Sequence, residues 1–164
     1  MIKNILLVAG DVQMAKDFYN EILGLQVIRD FGEKIMMTDG IVLQDKKTWE
    51  LLTGKSVSND PSHSFELYFE ENNFEEFINK LKNSKWNLIF INDPYEDTIG
   101  RMVTRFYDLD NHIIEVAETP IATAKRHLKG GMSVDEVLDK TFLARDFIQS
   151  VAGALKRQKT TDLN

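Results

Sequence analysis

What most constrains this chain is an order of hydrophobic patterns that occurs twice. Residues 2–9 form an apolar run broken only by Lys3 and Asn4, which reads as a buried strand. Gly10-Asp11 ends the run, and Asp11 is placed to cap a helix immediately after it. Residues 12–23 carry Ala15, Phe18 and Ile22 at helical spacing, and Gly24 closes that helix. Three strands come next, at 25–31, 34–37 and 41–44, parted by turns at Gly32-Glu33 and Asp39-Gly40. Residues 45–61 are a polar connector with room for one short helix. The order then returns. Residues 64–70 alternate as a strand does, and Phe74, Phe77, Ile78 and Leu81 mark a helix. Strands are expected at 86–91, 101–107 and 112–117, with 92–100 as a loop. At one common offset Phe77 and Leu81 take the places of Phe18 and Ile22. The pattern predicts an α+β fold of two tandem βαβββ modules, about residues 1–60 and 61–118.

From Thr119-Pro120 the pattern turns helical, so residues 119–164 are expected to form a C-terminal helical extension. A helix at 122–129 bears Lys125, Arg126 and Lys129, and Gly130-Gly131 stops it. Ser133 with Glu136 three residues on reads as a capping box for 134–140. A third helix is expected from Thr141 to about Arg157, and a loose tail over 158–164.

The chain has no cysteine, which removes disulfides, thiolate nucleophiles and Cys-type zinc sites. Its net charge of −6 argues against nucleic acid as a partner, since phosphate binding rests on Lys and Arg. No apolar run is long enough to span a membrane, and the opening MIKNILLVAGD is too short and too soon acidic for a signal peptide. A cytoplasmic protein with no membrane partner is the expectation.

Residues 106–118, FYDLDNHIIEVAE, hold the sharpest local signal. A polar turn, Asp108 to Asn111, reverses the chain, and the strand that leaves it carries Glu115 between Ile114 and Val116. A carboxylate in a β-branched strand must face solvent, meet a partner or serve a site.

Two stretches resemble a known family. Residues 15–25, AKDFYNEILGL, are similar to the "FY…vLGl" first helix of the glyoxalase/bleomycin resistance/extradiol dioxygenase (vicinal oxygen chelate) superfamily. Residues 108–116 resemble its "DPDGHxIEv" signature, with Leu109 for Pro and Asn111 for Gly. The resemblance covers about residues 1–118. It implies a U-shaped mixed sheet whose concave side holds a cavity, and, in metal-dependent members, one ligand on the first and last strand of each module. Those positions fall on Asn4, Gln44, Ser64 and Glu115. Strand parity places Glu66 and Tyr68 on the cavity side with Ser64, and a four-residue turn would set Thr104 opposite Glu115.

Only Glu115 keeps the usual ligand chemistry, because neutral Asn, Gln and Ser oxygens serve Zn or Ni poorly. Glu66 would add a second carboxylate and shift the site toward Mg, Ca or Mn. The expected substrate-binding set is therefore Asn4, Gln44, Ser64, Glu66, Tyr68, Thr104 and Glu115, with Glu115 as the one metal candidate. No cofactor is expected, a divalent metal ion being the alternative. His112 reads as architectural, His127 as exposed, and Arg105 as a helix-side residue in a surface ion pair. His63 stands one residue out of parity with the ligand position, and Trp49 with Tyr68 would stack on a ligand. The expected function is small-molecule binding in the sheet cavity of a homodimer, without the usual metal. The alternatives are a divalent-metal-dependent lyase or dioxygenase, and a ligand-sensing regulatory module acting through its helical tail.

Overall fold

The computed structural model describes residues 3–161. Ile2, with which the first strand was expected to begin, and residues 162–164 of the expected tail lie outside them. The elements run β1 (Ile5–Ala9), α1 (Val12–Leu23), β2 (Val27–Asp30), β3 (Lys34–Met37), β4 (Ile41–Asp45), α2 (Lys46–Thr53), β5 (Ser62–Glu71), α3 (Phe74–Lys82), β6 (Phe90–Glu96), β7 (Met102–Tyr107), β8 (His112–Glu118), α4 (Pro120–Lys129), α5 (Val134–Thr141) and α6 (Arg145–Thr161). The sheets have the orders β1-β4-β3-β2 and β5-β8-β7-β6. The doubled βαβββ order is therefore present, as α+β architecture with a helical C-terminal region.

The chain divides into two compact units. One holds Met1–Leu67, Asn83–Ile89 and Phe106–Ile114, the other Tyr68–Lys82, Phe90–Arg105 and Glu115–Asn164. In the first unit, β1 runs parallel to β4, with Ile5 opposite Ile41 and Val8 opposite Gln44. A parallel pair needs a crossover, and α1 supplies it by packing on β3 and β4. Asp11 caps α1 by accepting from the Gln13 and Met14 N–H groups, and Gly24 ends it at φ 73°. The helix buries Val12, Ala15, Phe18, Tyr19 and Ile22, and Ile35, Met37 and Leu43 complete that core. Gly40, at φ 74°, lets the β3–β4 turn approach β1: a Cβ there would stand 2.9 Å from the Lys3 carbonyl oxygen.

In the second unit, α4, α5 and α6 pack on one another around Ala124, Val137 and Ile148. Thr119 caps α4 with Pro120 in its first turn, and Ser133 and Glu136 form the capping box of α5.

Several boundaries differ from the sequence reading. The connector folds its short helix, α2, capped by Asp45. β2 is shorter than residues 25–31. β6 starts at Phe90 and continues through Asp93-Pro94, a pair that reads as a loop in the sequence. Pro94 is tolerated because β6 is an edge strand, where one face of the ladder needs no N–H. Trp86, expected to open that strand, instead packs edge-on against Phe18 and donates its indole N–H to Glu21. Phe142 adopts φ 56° and ends α5, so α6 begins at Arg145 rather than Thr141, and it continues through residues 158–161.

His127 is a further correction. It is 6% exposed rather than solvated, and its Nε2 lies 2.8 Å from the Gly100 carbonyl oxygen. Gly100 makes this approach feasible. It sits at φ 75°, and a Cβ there would meet the His127 ring at 3.0 Å. Phe65 is 42% exposed, whereas Leu67, two residues on along the same strand, is 4% exposed.

Candidate functional site

Glu115 stands in the middle of β8 and is 4% exposed. A carboxylate so buried needs a counter-charge. It has one: the Arg105 guanidinium, on β7, forms an ion pair with Glu115. The β7–β8 turn explains why Arg105 and not Thr104 does this. The Asp108 N–H bonds to the His112 carbonyl, closing a loop one residue longer than a four-residue turn. That shift puts Arg105 across from Glu115 and turns Thr104 away. Thr104 is fully buried, and its hydroxyl has no hydrogen-bond partner among the described residues. Arg105 thus shares the face of Glu115, contrary to its expected place on the helix side.

The same face carries a tyrosine on either flank. Arg105 donates to the Tyr95 hydroxyl at 2.8 Å. Arg101, one residue before β7, donates to the Tyr68 hydroxyl at 2.8 Å and is fixed by Asp97 through its Nε at 2.9 Å. Tyr68 in turn donates to Glu70. Both rings are half-exposed, at 44% for Tyr68 and 40% for Tyr95. Partial burial, reinforced by the hydrogen bond to Glu70, raises the Tyr68 hydroxyl pKa above its ordinary value. Burial pulls Arg101 down, but the bonds to Asp97 and the charge of Glu115 raise it overall. The result is a charge-balanced platform of two guanidinium groups and two neutral phenols. It can bind a ligand by hydrogen bonds and ring contact.

The other expected ligand positions, Asn4, Gln44 and Ser64, carry no carboxylate, imidazole or thiolate. Asn4 and Ser64 are exposed. Gln44 is 2% exposed, and its amide donates to the Glu33 carbonyl at 3.0 Å. The register puts Gln44 beside Val8, so Asn4 lies four residues down the neighbouring strand, about 13 Å away. Glu66 is exposed, and Trp49 is half-buried on α2. Among the described residues no group of three or more His, Cys, Asp or Glu side chains is placed to hold a metal ion. A single carboxylate already bound to a guanidinium, with two amides and a hydroxyl, does not fit the ion that the family's ligand positions would hold.

A second polar cluster occupies the first unit. Asp108, 8% exposed, accepts from the Tyr19 hydroxyl at 2.7 Å, and the His112 Nδ1 lies 2.7 Å from the same oxygen. Its other oxygen accepts from the Asp110 and His112 backbone N–H groups, and Asp110 accepts from the Gly10 N–H. Asn111 takes φ 66°, the conformation for which the related signature uses glycine. Burial would lower the His112 pKa, but the hydrogen bond and charge of Asp108 raise it above the ordinary value. Burial, then the Asp108 charge, pushes Tyr19 well up. The cluster welds α1 to the last hairpin. His63, off the strand parity, meets the Tyr107 hydroxyl at 2.7 Å.

Tyr95 and Arg101 are absent from the expected set, and Arg105 was expected on the other side of the sheet. The missed signal was the capacity of Asp108 to bind two backbone N–H groups beyond itself, which lengthens the turn and shifts the parity of β7 by one.

Among known families, the glyoxalase-like domain matches residues 2–120. The structure is similar to that of a protein of unknown function from Agrobacterium tumefaciens str. C58, with 26% identity and a TM-score of 0.64 over 73% of this chain and 94% of that one. It is similar to a glyoxalase/bleomycin resistance protein/dioxygenase family enzyme from Burkholderia phytofirmans PsJN, with 16% identity and a TM-score of 0.59 over 71% and 97%. It is also similar to the genomically encoded fosfomycin resistance protein of Listeria monocytogenes, with 14% identity and a TM-score of 0.57 over 73% and 93%. No protein of curated function matches the sequence.

Proposed function

Because the chain belongs to the glyoxalase-like domain family, we propose that it binds a small organic molecule on the sheet face around Tyr68, Tyr95, Arg101 and Arg105, with no ion at the family's metal position. The observation that carries this is the Arg105–Glu115 pair. The one residue with conventional ligand chemistry already has a cation, and a divalent ion beside a guanidinium would be repelled. The two half-exposed phenols are what a ligand would meet. The reading includes a homodimer, supported by exposed apolar side chains on the first sheet, Ile5, Val27 and Ile28 among them, the last two on its edge strand β2.

Metal analysis of the purified protein tests the site directly. The expected result is far less than one ion per chain, unchanged in Glu115→Gln. A stoichiometric ion that is lost in that variant would overturn the reading and support the lyase or dioxygenase alternative. A thermal-shift screen should find organic ligands whose stabilisation disappears in Tyr68→Ala and Tyr95→Ala.

A further inference from the structure

The groove between α3 and α4 has a charge unlike that of the whole chain. The protein carries a net charge of −6, yet Lys82, Lys125 and Lys129 border this groove. None of the three pairs with a carboxylate among the described residues, although Lys85 and Lys140 nearby in sequence both do. Two acids line the groove with them. Glu75 is exposed. Glu118 is spent: it is 4% exposed and accepts from Arg126, from the Met102 N–H and from Thr123.

Helical spacing builds the two walls. On α3, Phe74, Ile78 and Lys82 fall at i, i+4 and i+8. On α4, Ala122, Lys125 and Lys129 fall at i, i+3 and i+7. The first stripe begins apolar and ends in a cation, and the second does the same. Pro94 and Met102 add apolar lining, and the open groove has a volume of about 840 Å³. That is within the range of small-molecule sites. Arg126 keeps the α4 wall in place, through Glu118, through Glu96 at 2.8 Å and through the Gly100 carbonyl at 2.6 Å. Almost all of α4 lies beyond the residues that match the family.

We propose that this groove is a second ligand site, separate from the sheet-face platform, and that it takes an amphipathic organic anion such as a medium-chain carboxylate. The chain of such a ligand would lie on Phe74, Ile78, Pro94 and Met102, and its head group would meet the unpaired lysines. The inference does not depend on the sheet-face reading.

Isothermal titration of the 164-residue chain with decanoate, below its micellar concentration, tests this, with decanol as the uncharged control. Decanoate should bind saturably and roughly tenfold more tightly than decanol. The double variant Lys125→Glu/Lys129→Glu should weaken decanoate by roughly tenfold or more and leave decanol unaffected. Both lysines are exposed, so its circular dichroism spectrum should match that of the parent. Lys47→Glu/Lys55→Glu, which makes the same charge change outside the groove, should bind as the parent does. Should the glutamate pair disturb folding, Lys125→Gln/Lys129→Gln should still weaken decanoate by roughly threefold. Equal affinity for decanol, absence of saturable binding, or an undiminished decanoate affinity in the lysine variants that fold would each overturn the proposal.

Discussion

Gln44 and Glu115 occupy matching places in the two modules and are satisfied in opposite ways. Each lies four residues after a turn residue in the left-handed region, Gly40 for one and Asn111 for the other. Each is buried to within a few per cent. Gln44, a neutral amide, needs only the Glu33 carbonyl that β3 offers. Glu115, a carboxylate, needs a counter-charge, and the Arg105 guanidinium on β7 supplies it. The difference teaches that matching places in the two modules are satisfied by whatever the neighbouring strand sets against them.

Removing the guanidinium should have the largest effect. Arg105→Ala strands a buried carboxylate and should destabilise folding by about 3 kcal/mol in urea denaturation, whereas Arg105→Leu combined with Glu115→Leu should recover most of that loss. Recovery would show that the pair matters through its charges and not through its shape. If Arg105→Ala proved neutral, the contrast with Gln44 would collapse.

The reciprocal change comes next. Gln44→Glu sets a carboxylate against a carbonyl oxygen and should cost about 2 kcal/mol at neutral pH. Burial raises the pKa of such a group above its unfolded value, so the protonated form is the better folder. Stability should therefore recover as the pH falls through that raised value, and thermal midpoints measured in acid and at neutral pH should converge on the parent's only in acid.

Asp108→Asn probes the other polar cluster and should cost about 1–2 kcal/mol. His112 has a raised folded pKa. Its protonated form therefore adds stability that is complete below the unfolded value of about 6.5 and is lost as pH rises through the higher folded one. The substitution should flatten this slope, and an NMR titration of His112 should show its pKa moving down. Smallest of all, Tyr95→Phe removes one hydroxyl from Arg105 and should cost about 0.5–1 kcal/mol, measured in the same urea denaturation.

Local physics made much of the fold readable. Asp11 and Gly24 bracket α1, Ser133 and Glu136 announce α5, and repeated apolar spacing reveals both modules. These signals act within a few residues of themselves. The ring of side chains around Glu115 depends on register across a turn, and a single extra loop residue changes the partner. Pro94 looked like a strand breaker because edge position is not written locally. His127 looked solvated because its burial depends on Gly100, far away in sequence and without a side chain to object. The likeness to "FY" and "DPDGH" motifs was legible, and the structure supplies its reason: Tyr19 and His112 both bond to Asp108.

That shared carboxylate also bears on synthesis. The first unit is discontinuous, and its last segment is Phe106–Ile114. A nascent chain can pair β1 to β4 and lay α1 on them early, but the Tyr19 hydroxyl finds no acceptor until Asp108 has left the ribosome. Until then, Phe106 and Ile114 are also missing from the core they complete. The N-terminal module is therefore not an early, finished domain in the way its sequence order implies. Its completion waits on the hairpin that also delivers Glu115, so both modules should reach their final packing in one late step of translation.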